Sequence, residues 1–210
     1  MATYSSAVLK PRKQPRQARS QVTVDAVFEA TIQVLLSDGS ERLTTTRVAN
    51  RAGVSVGTLY QYYPNKQALL YAVLQRHLAR IGDTVETAAR SAHHAPLAAM
   101  VAAVVEAFVR AKTERIDEVR ALYGVASQLE AVELVKAVGA RNCAAISAML
   151  ATASGVRFDD LALTSYMFCV AMVGPTSAIF QGGAPPKMLC VLARPCWNSA
   201  LSGSARTSAS

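Results

Sequence analysis

The sequence predicts an all-α protein: a three-helix N-terminal domain with a helix-turn-helix, followed by a larger helical domain. Three observations carry this. Apolar residues recur at helical spacing along most of the chain, with no alternating strand pattern and no internal repeat. Between these stretches stand the Gly, Pro, Ser, Thr and Asn residues that start and stop helices. The charge is uneven: residues 1–82 carry eleven Lys and Arg against four Asp and Glu, whereas residues 83–210 carry eleven against ten. A basic N-terminal part suits a polyanion, and the near-neutral remainder suits another task.

The composition bounds the classes. With 210 residues, 51% of them apolar and 17% charged, the chain can bury a core and is not a mostly disordered one. Eleven Gly and eight Pro exclude collagen-like architectures. Cys143, Cys169, Cys190 and Cys196 form no C-x-x-C pair, and the basic start, Met1 to Ser20, has no apolar export segment. The cysteines are therefore expected as small apolar core residues in a reduced, cytoplasmic compartment.

Residues 1–20, with Lys10, Arg12, Lys13, Arg16 and Arg19 and no acid, are expected as a flexible basic arm. From Val22 a helix begins, with Val24, Phe28, Thr31, Ile32 and Leu35 on one face, and Asp38-Gly39 stops it. Leu43-Thr44-Thr45-Thr46 offers a capping hydroxyl for a short helix over 47–52, stopped by Gly53. Ser55 caps a second short helix, Val56 to Tyr62; Tyr63 precedes Pro64 and is pushed out of helix. Asn65 caps a longer helix from Lys66, in which Leu69, Leu70, Val73, Leu74 and Leu78 keep helical spacing. Further helices are expected over 96–112, 114–127, 130–153 and 159–181. A loop is expected at 182–186 and a frayed Ser-rich end at 202–210. The expected domains are 21–66 and 67–201, with 67–82 as the linking helix.

The run 161–180 is uncharged and long enough to span a bilayer. Thr164, Ser165, Gly174, Pro175, Thr176 and Ser177 lower its hydrophobicity. A helix buried in a bundle or a subunit interface is the expectation, and no membrane is called for.

The functional signal is 43–70. Two short helices flank the turn Ala52-Gly53-Val54-Ser55, which is the helix-turn-helix plan. Val48, Ala49 and Ala52 let the helices approach, and Val54 and Leu59 point to the core. Thr58, Tyr60, Gln61 and Tyr62 supply hydroxyl and amide groups for phosphates or base edges. The run Ala52-Gly53-Val54-Ser55-Val56-Gly57-Thr58-Leu59-Tyr60-Gln61-Tyr62-Tyr63-Pro64-Asn65-Lys66-Gln67-Ala68-Leu69 resembles the signature of the tetracycline-repressor (TetR) family of transcriptional regulators. Together with 27–39, which is similar to the family's first helix, the resemblance covers about residues 20–82.

That resemblance implies a dimeric, ligand-responsive repressor that binds a palindromic operator in double-stranded DNA. By it, Thr45 and Tyr60 would contact phosphates, and Lys66 would reach the DNA backbone. Thr46, Arg47, Val56, Gly57, Thr58, Gln61 and Tyr62 would face the groove, with Ser55 at the turn. Tyr63 stands at the family's usual Phe position and is expected as a core aromatic. Arg47 stands where the family often has an acid. Ser40 replaces an aromatic, so Leu43 is expected to fill the space. Pro175 and Pro195 interrupt the last two helices of the family's dimer interface.

The larger domain would hold a small apolar or amphiphilic effector. Its candidate residues are Met100, Val104, Phe108, Tyr123, Met149, Tyr166, Met167 and Phe168, although apolar stripes are more often core. His93-His94 is expected in a loop rather than as a metal site, His77 on the polar part of its helix with no partner, and Asp159-Asp160 as helix N-terminal acids. No phosphate loop, nucleophile elbow or HExxH is present in the sequence; neither an enzyme nor a cofactor is indicated. The rival reading is a small-molecule-binding or scaffold protein that keeps the helix-turn-helix only as a structural unit.

Overall fold

Gly39, at φ +78°, breaks the first helix where the sequence places its stop. In the computed structural model, which describes residues 18–129, 131–180 and 205–207, this helix is α1 (Ala18–Arg42). It starts earlier than Val22, so the last residues of the expected arm are helical. The rest of that arm, the 182–186 loop, Cys190, Pro195 and Cys196 lie outside the described residues. The remaining helices are α2 (Thr45–Ala52), α3 (Val56–Tyr62), α4 (Lys66–Ser91), α5 (Leu97–Thr113), α6 (Ile116–Gln128), α7 (Val132–Leu150) and α8 (Leu161–Phe180).

Local chemistry sets the ends of the short helices. Thr44 Oγ1 accepts from Arg47 N at 3.2 Å, so α2 begins at Thr45, ahead of the expected 47. Gly53 closes α2 in the left-handed region, φ 67° and ψ 29°, where a side chain would be strained. Ser55 Oγ accepts from Thr58 N at 3.0 Å and opens α3. Tyr63 ends it in extended backbone ahead of Pro64. Asn65 Oδ1 accepts from Ala68 N at 2.8 Å and opens α4.

The described residues pack as two compact units. One holds those up to His77 together with Asp117–Val132; the other holds Leu78–Ile116 and those from Glu133 onward. Residues 67–77 and α6 pack in the first unit. In that unit the apolar face of α1 (Val24, Phe28, Ile32, Leu35) is buried with Leu43, Val48, Ala49 and Leu59. Leu43 is almost fully buried there. Tyr63 is buried with its ring 5.8 Å from that of Phe28, and burial raises its phenol far above the usual range. Arg76 lies over the Phe28 ring and bonds Asp25.

His77 corrects the expectation of a polar, partnerless position. It is buried, with Nδ1 3.9 Å from the buried Glu118 Oε1 of α6. No local pattern announces this, because the partner comes from a distant helix.

In the second unit an apolar cluster is drawn from α4, α5, α7 and α8, including Ile81, Val85, Met100, Val104, Phe108, Ile146, Met149 and Phe168. Arg141 of α7 bonds Asp83 Oδ1 of α4 at 2.6 Å and also Glu86, whose carboxyl it holds below the usual range. His93 and His94 lie in the turn between α4 and α5, as expected. Asp160 Oδ1 accepts from Leu163 N at 2.9 Å at the start of α8, and α8 continues as one helix through Pro175. Against the expectation of no strands and a frayed end, β1 (Val156–Phe158) pairs antiparallel with β2 (Ala205–Thr207). Three residues are too few to show an alternating pattern.

Candidate nucleic-acid interface

The turn between α2 and α3 gathers the polar groups singled out in the sequence. Leu59 is fully buried and Val48 and Ala49 likewise, so α3 is anchored by its inner face while its other side stays accessible. Thr45 Oγ1 at the start of α2 and Tyr60 Oη on α3 are 3.1 Å apart, a hydroxyl pair joining the two helices. Ser55 Oγ and Thr58 Oγ1 form a second pair at 2.9 Å. Thr46, Arg47, Ser55, Gly57, Tyr60 and Gln61 are exposed, and Thr45, Val56, Thr58 and Tyr62 are half-buried. A Cβ at Gly57 would meet only Ser55 Oγ, at 3.7 Å, so the backbone there is open to a close approach from outside.

Three cations are placed differently from the simplest picture of free positive charge. Arg47 Nη1 bonds Asp38 Oδ2 at 2.5 Å, so an acid from the end of α1 offsets the extra charge. Lys66 Nζ donates to Ser40 O at 3.0 Å, and its side chain holds the segment after the α1 break. Arg51 Nε donates to Gln33 Oε1 at 2.8 Å, pinning α2 to α1. Helical spacing alone conceals these cross-helix contacts. The Asp38–Arg47 pair was open to a charge argument, since an acid before the helix break precedes a cation in the next helix.

The effector candidates do not form one group. Met100, Val104, Phe108, Met149 and Phe168 are buried in the apolar cluster of the second unit described above. Tyr166 and Met167 are instead exposed, at 59% and 57%, and Tyr123 belongs to α6 in the first unit. Tyr166 and Met167 join Leu163, Val170 and Val173 in an exposed apolar stripe along α8, whose opposite face buries Thr164, Ser165, Phe168 and Met172. A sequence apolar all round gave no sign of which side is covered. Among the described residues no three His, Cys, Asp or Glu side chains gather to hold a metal, and no helix is long and apolar enough to cross a membrane.

Two family models match the chain. "Bacterial regulatory proteins, tetR family" matches residues 27–73, and "Tetracyclin repressor-like, C-terminal domain" matches residues 96–186. The HTH-type transcriptional repressor KstR of Mycolicibacterium smegmatis is 40% identical over 63 residues, 30% of this chain and 31% of that protein. The nucleoid occlusion factor SlmA of Haemophilus ducreyi is 30% identical over 125 residues, 59% of this chain and 58% of that protein. The matched stretch spans about a third of the length of the first of these relatives. In fold, the chain is similar to a solved putative TetR-family regulator of Mesorhizobium loti, with a TM-score of 0.68 at 16% identity over 89% of this chain and 96% of that one. With both of its parts matched in order, the helix-turn-helix part and the helical body, the chain belongs to the TetR family of transcriptional regulators.

Proposed function

We propose that this protein is a transcriptional repressor that binds a palindromic operator as a homodimer and is released by a small apolar or amphiphilic effector. The observation that carries the reading is the α2–α3 unit. Its recognition helix is anchored by Leu59, and the Thr45–Tyr60 hydroxyl pair sits at its surface. Seven residues of α3 reach about 10 Å, a length that fits end-on into a major groove. Thr45, Tyr60 and Lys66 contact phosphates. Gln61 and Tyr62 meet base edges, with Thr46, Arg47, Ser55, Val56, Gly57 and Thr58 around them. Gly57 lets the backbone come close.

The exposed stripe of α8 supports a dimer, since an apolar face of that kind is stable in water when a second copy covers it. The effector binds in the second unit against the cluster of Met100, Val104, Phe108, Met149 and Phe168. The buried Lys112, whose Nζ lies 5.7 Å from the Phe108 ring centre, favours an amphiphilic ligand over a wholly apolar one. A ligand that favours the arrangement unable to hold DNA lowers DNA affinity, and DNA lowers ligand affinity by the same factor. The place of action is the cytoplasm, where the operator is.

The test is a fluorescence titration of labelled duplexes from the DNA flanking the protein's own gene. Tight binding of two protomers per duplex, weakened by effector, is expected. Equal affinity for flanking and unrelated duplexes would overturn the reading.

A further inference from the structure

Among the buried residues of α7, which are Asn142, Ile146, Met149 and Leu150, one is polar. Asn142 is only 6% exposed, yet its Oδ1 has no hydrogen-bond donor among the described residues. A buried amide oxygen left so is a cost to the fold and is uncommon in native structures. What Oδ1 faces is Gly82 of α4, in the same unit. A Cβ built on Gly82 would meet Val138 Cγ1 at 3.4 Å, Asn142 Oδ1 at 3.5 Å and Arg141 Nη1 at 3.7 Å, all ordinary contacts. The glycine thus leaves a gap the size of a methyl group between α4 and α7, with an unfilled acceptor on its wall. Ile81 and Val85 flank Gly82 along α4, and Ile146 stands one turn after Asn142 on α7; all three belong to the apolar cluster. The gap therefore borders that cluster.

Building on the effector reading above, we propose that Gly82 and Asn142 form the polar end of the effector site and take an uncharged hydroxyl or amide N–H group carried on an apolar body. The body lies against Ile81, Val85 and Ile146, and its polar group enters the gap. A hydroxyl is close in size to the absent methyl. Moved about 0.7 Å from the Cβ position toward Asn142, its oxygen comes to the usual distance of about 2.8 Å from Oδ1 and donates its proton there. An amide oxygen only accepts, so the incoming group must donate. A carboxylate or a fully ionised phosphate has no proton to give, and its oxygens would face the lone pairs of Oδ1. An ammonium would meet the like charge of Arg141, whose guanidinium is held beside the gap by Asp83 and Glu86. An uncharged donor meets neither obstacle. Its bond removes a cost the fold already carries, so it counts for more here than at the surface.

The experiment titrates the full chain by calorimetry with n-octanol and n-decanol, and with heptyl methyl ether and nonyl methyl ether. Each ether matches its alcohol in heavy atoms and keeps the oxygen but lacks the proton. The parent should bind each alcohol about tenfold more tightly than its ether, the usual worth of satisfying one buried acceptor. In Asn142→Leu this preference should disappear. It should disappear as well in Gly82→Ala, whose methyl fills the gap through ordinary contacts and suits the interior of α4, so that the fold is kept. The ratio within a pair reads the hydrogen bond and not general packing, since both members bury the same kind of chain. Alcohol and ether bound alike by the parent, or a preference that survives in either variant, would overturn the proposal and leave an effector site standing. No saturable binding of any probe to a parent that still binds DNA would overturn the effector reading and the proposal together.

Discussion

Replacing Gly57 with Leu should stabilise the protein and damage its DNA binding, two effects of opposite sign from one side chain. A Cβ at this position meets only Ser55 Oγ, at 3.7 Å, an ordinary contact, and the residue is helical and exposed. Leu therefore adds helix propensity without a clash. The usual gain over Gly is about 0.5–1 kcal/mol. Gly57 lies in the first turn of a seven-residue helix, which places it at the low end, about 0.5 kcal/mol, or roughly 1–2 °C in Tm for a chain of this size. On the outside, the Leu side chain occupies the space through which the account brings the DNA toward the backbone of α3. The expected loss is at least about tenfold in operator affinity, or about 1.4 kcal/mol. Thermal unfolding and a DNA titration on the same preparation read both quantities. A variant that keeps its Tm and binds DNA as the parent does would refute the placement of Gly57 against DNA. One that unfolds earlier would refute the open space around it.

Three further outcomes follow from particular contacts. Asp38→Asn releases Arg47, at a stability cost of no more than about 1 kcal/mol for so exposed a pair. If Arg47 then takes a phosphate, the log–log salt slope should steepen by about 0.9, so that the affinity gain shrinks about 3.5-fold between roughly 50 and 200 mM salt. Lys66→Ala removes the bond to Ser40 O and should cost about 1 kcal/mol in denaturant unfolding. It should also flatten the salt slope by about 0.9, and an unchanged slope would reject its phosphate role. Alkali should destabilise the fold through Tyr63 and Cys169, because burial raises both groups, so that the unfolded chain ionises first. Stability is complete below pH about 9 and falls as pH rises, with the Cys169 part lost between about 9 and about 12. Tyr63→Phe should lessen the loss above pH about 10 in urea unfolding, and an identical pH profile would contradict the assignment.

What was legible in the sequence was local. Ser55, Gly53, Tyr63-Pro64 and Asn65 act within a few residues of themselves, so the limits of α3 and the start of α4 follow from side-chain chemistry alone. The buried face of α1 follows from its period in the same way. What escaped depends on partners far along the chain. His77 is buried because Glu118 of α6 meets it, Arg47 is offset by Asp38, and Lys66 is engaged by Ser40. The effector candidates illustrate the same limit. Phe108 and Phe168 share a core, but Tyr166 and Met167 turn outward because a helix apolar all round does not declare which face its neighbours cover. The strand Val156–Phe158 was hidden by its length and by a partner at the far end of the chain.

The most direct measurement of the central claim, that α3 reads base edges, is selection of bound duplexes from a randomised pool by the parent and by Gln61→Ala. The parent should select a palindrome whose half-sites lie about one helical turn apart, roughly 34 Å. Gln61→Ala should alter the preferred base at one position in each half-site, with a discrimination change of roughly 1–3 kcal/mol, since the Gln amide can bond adenine in the major groove. No selected motif from the parent, or a uniform loss across all positions in the variant, would contradict the account.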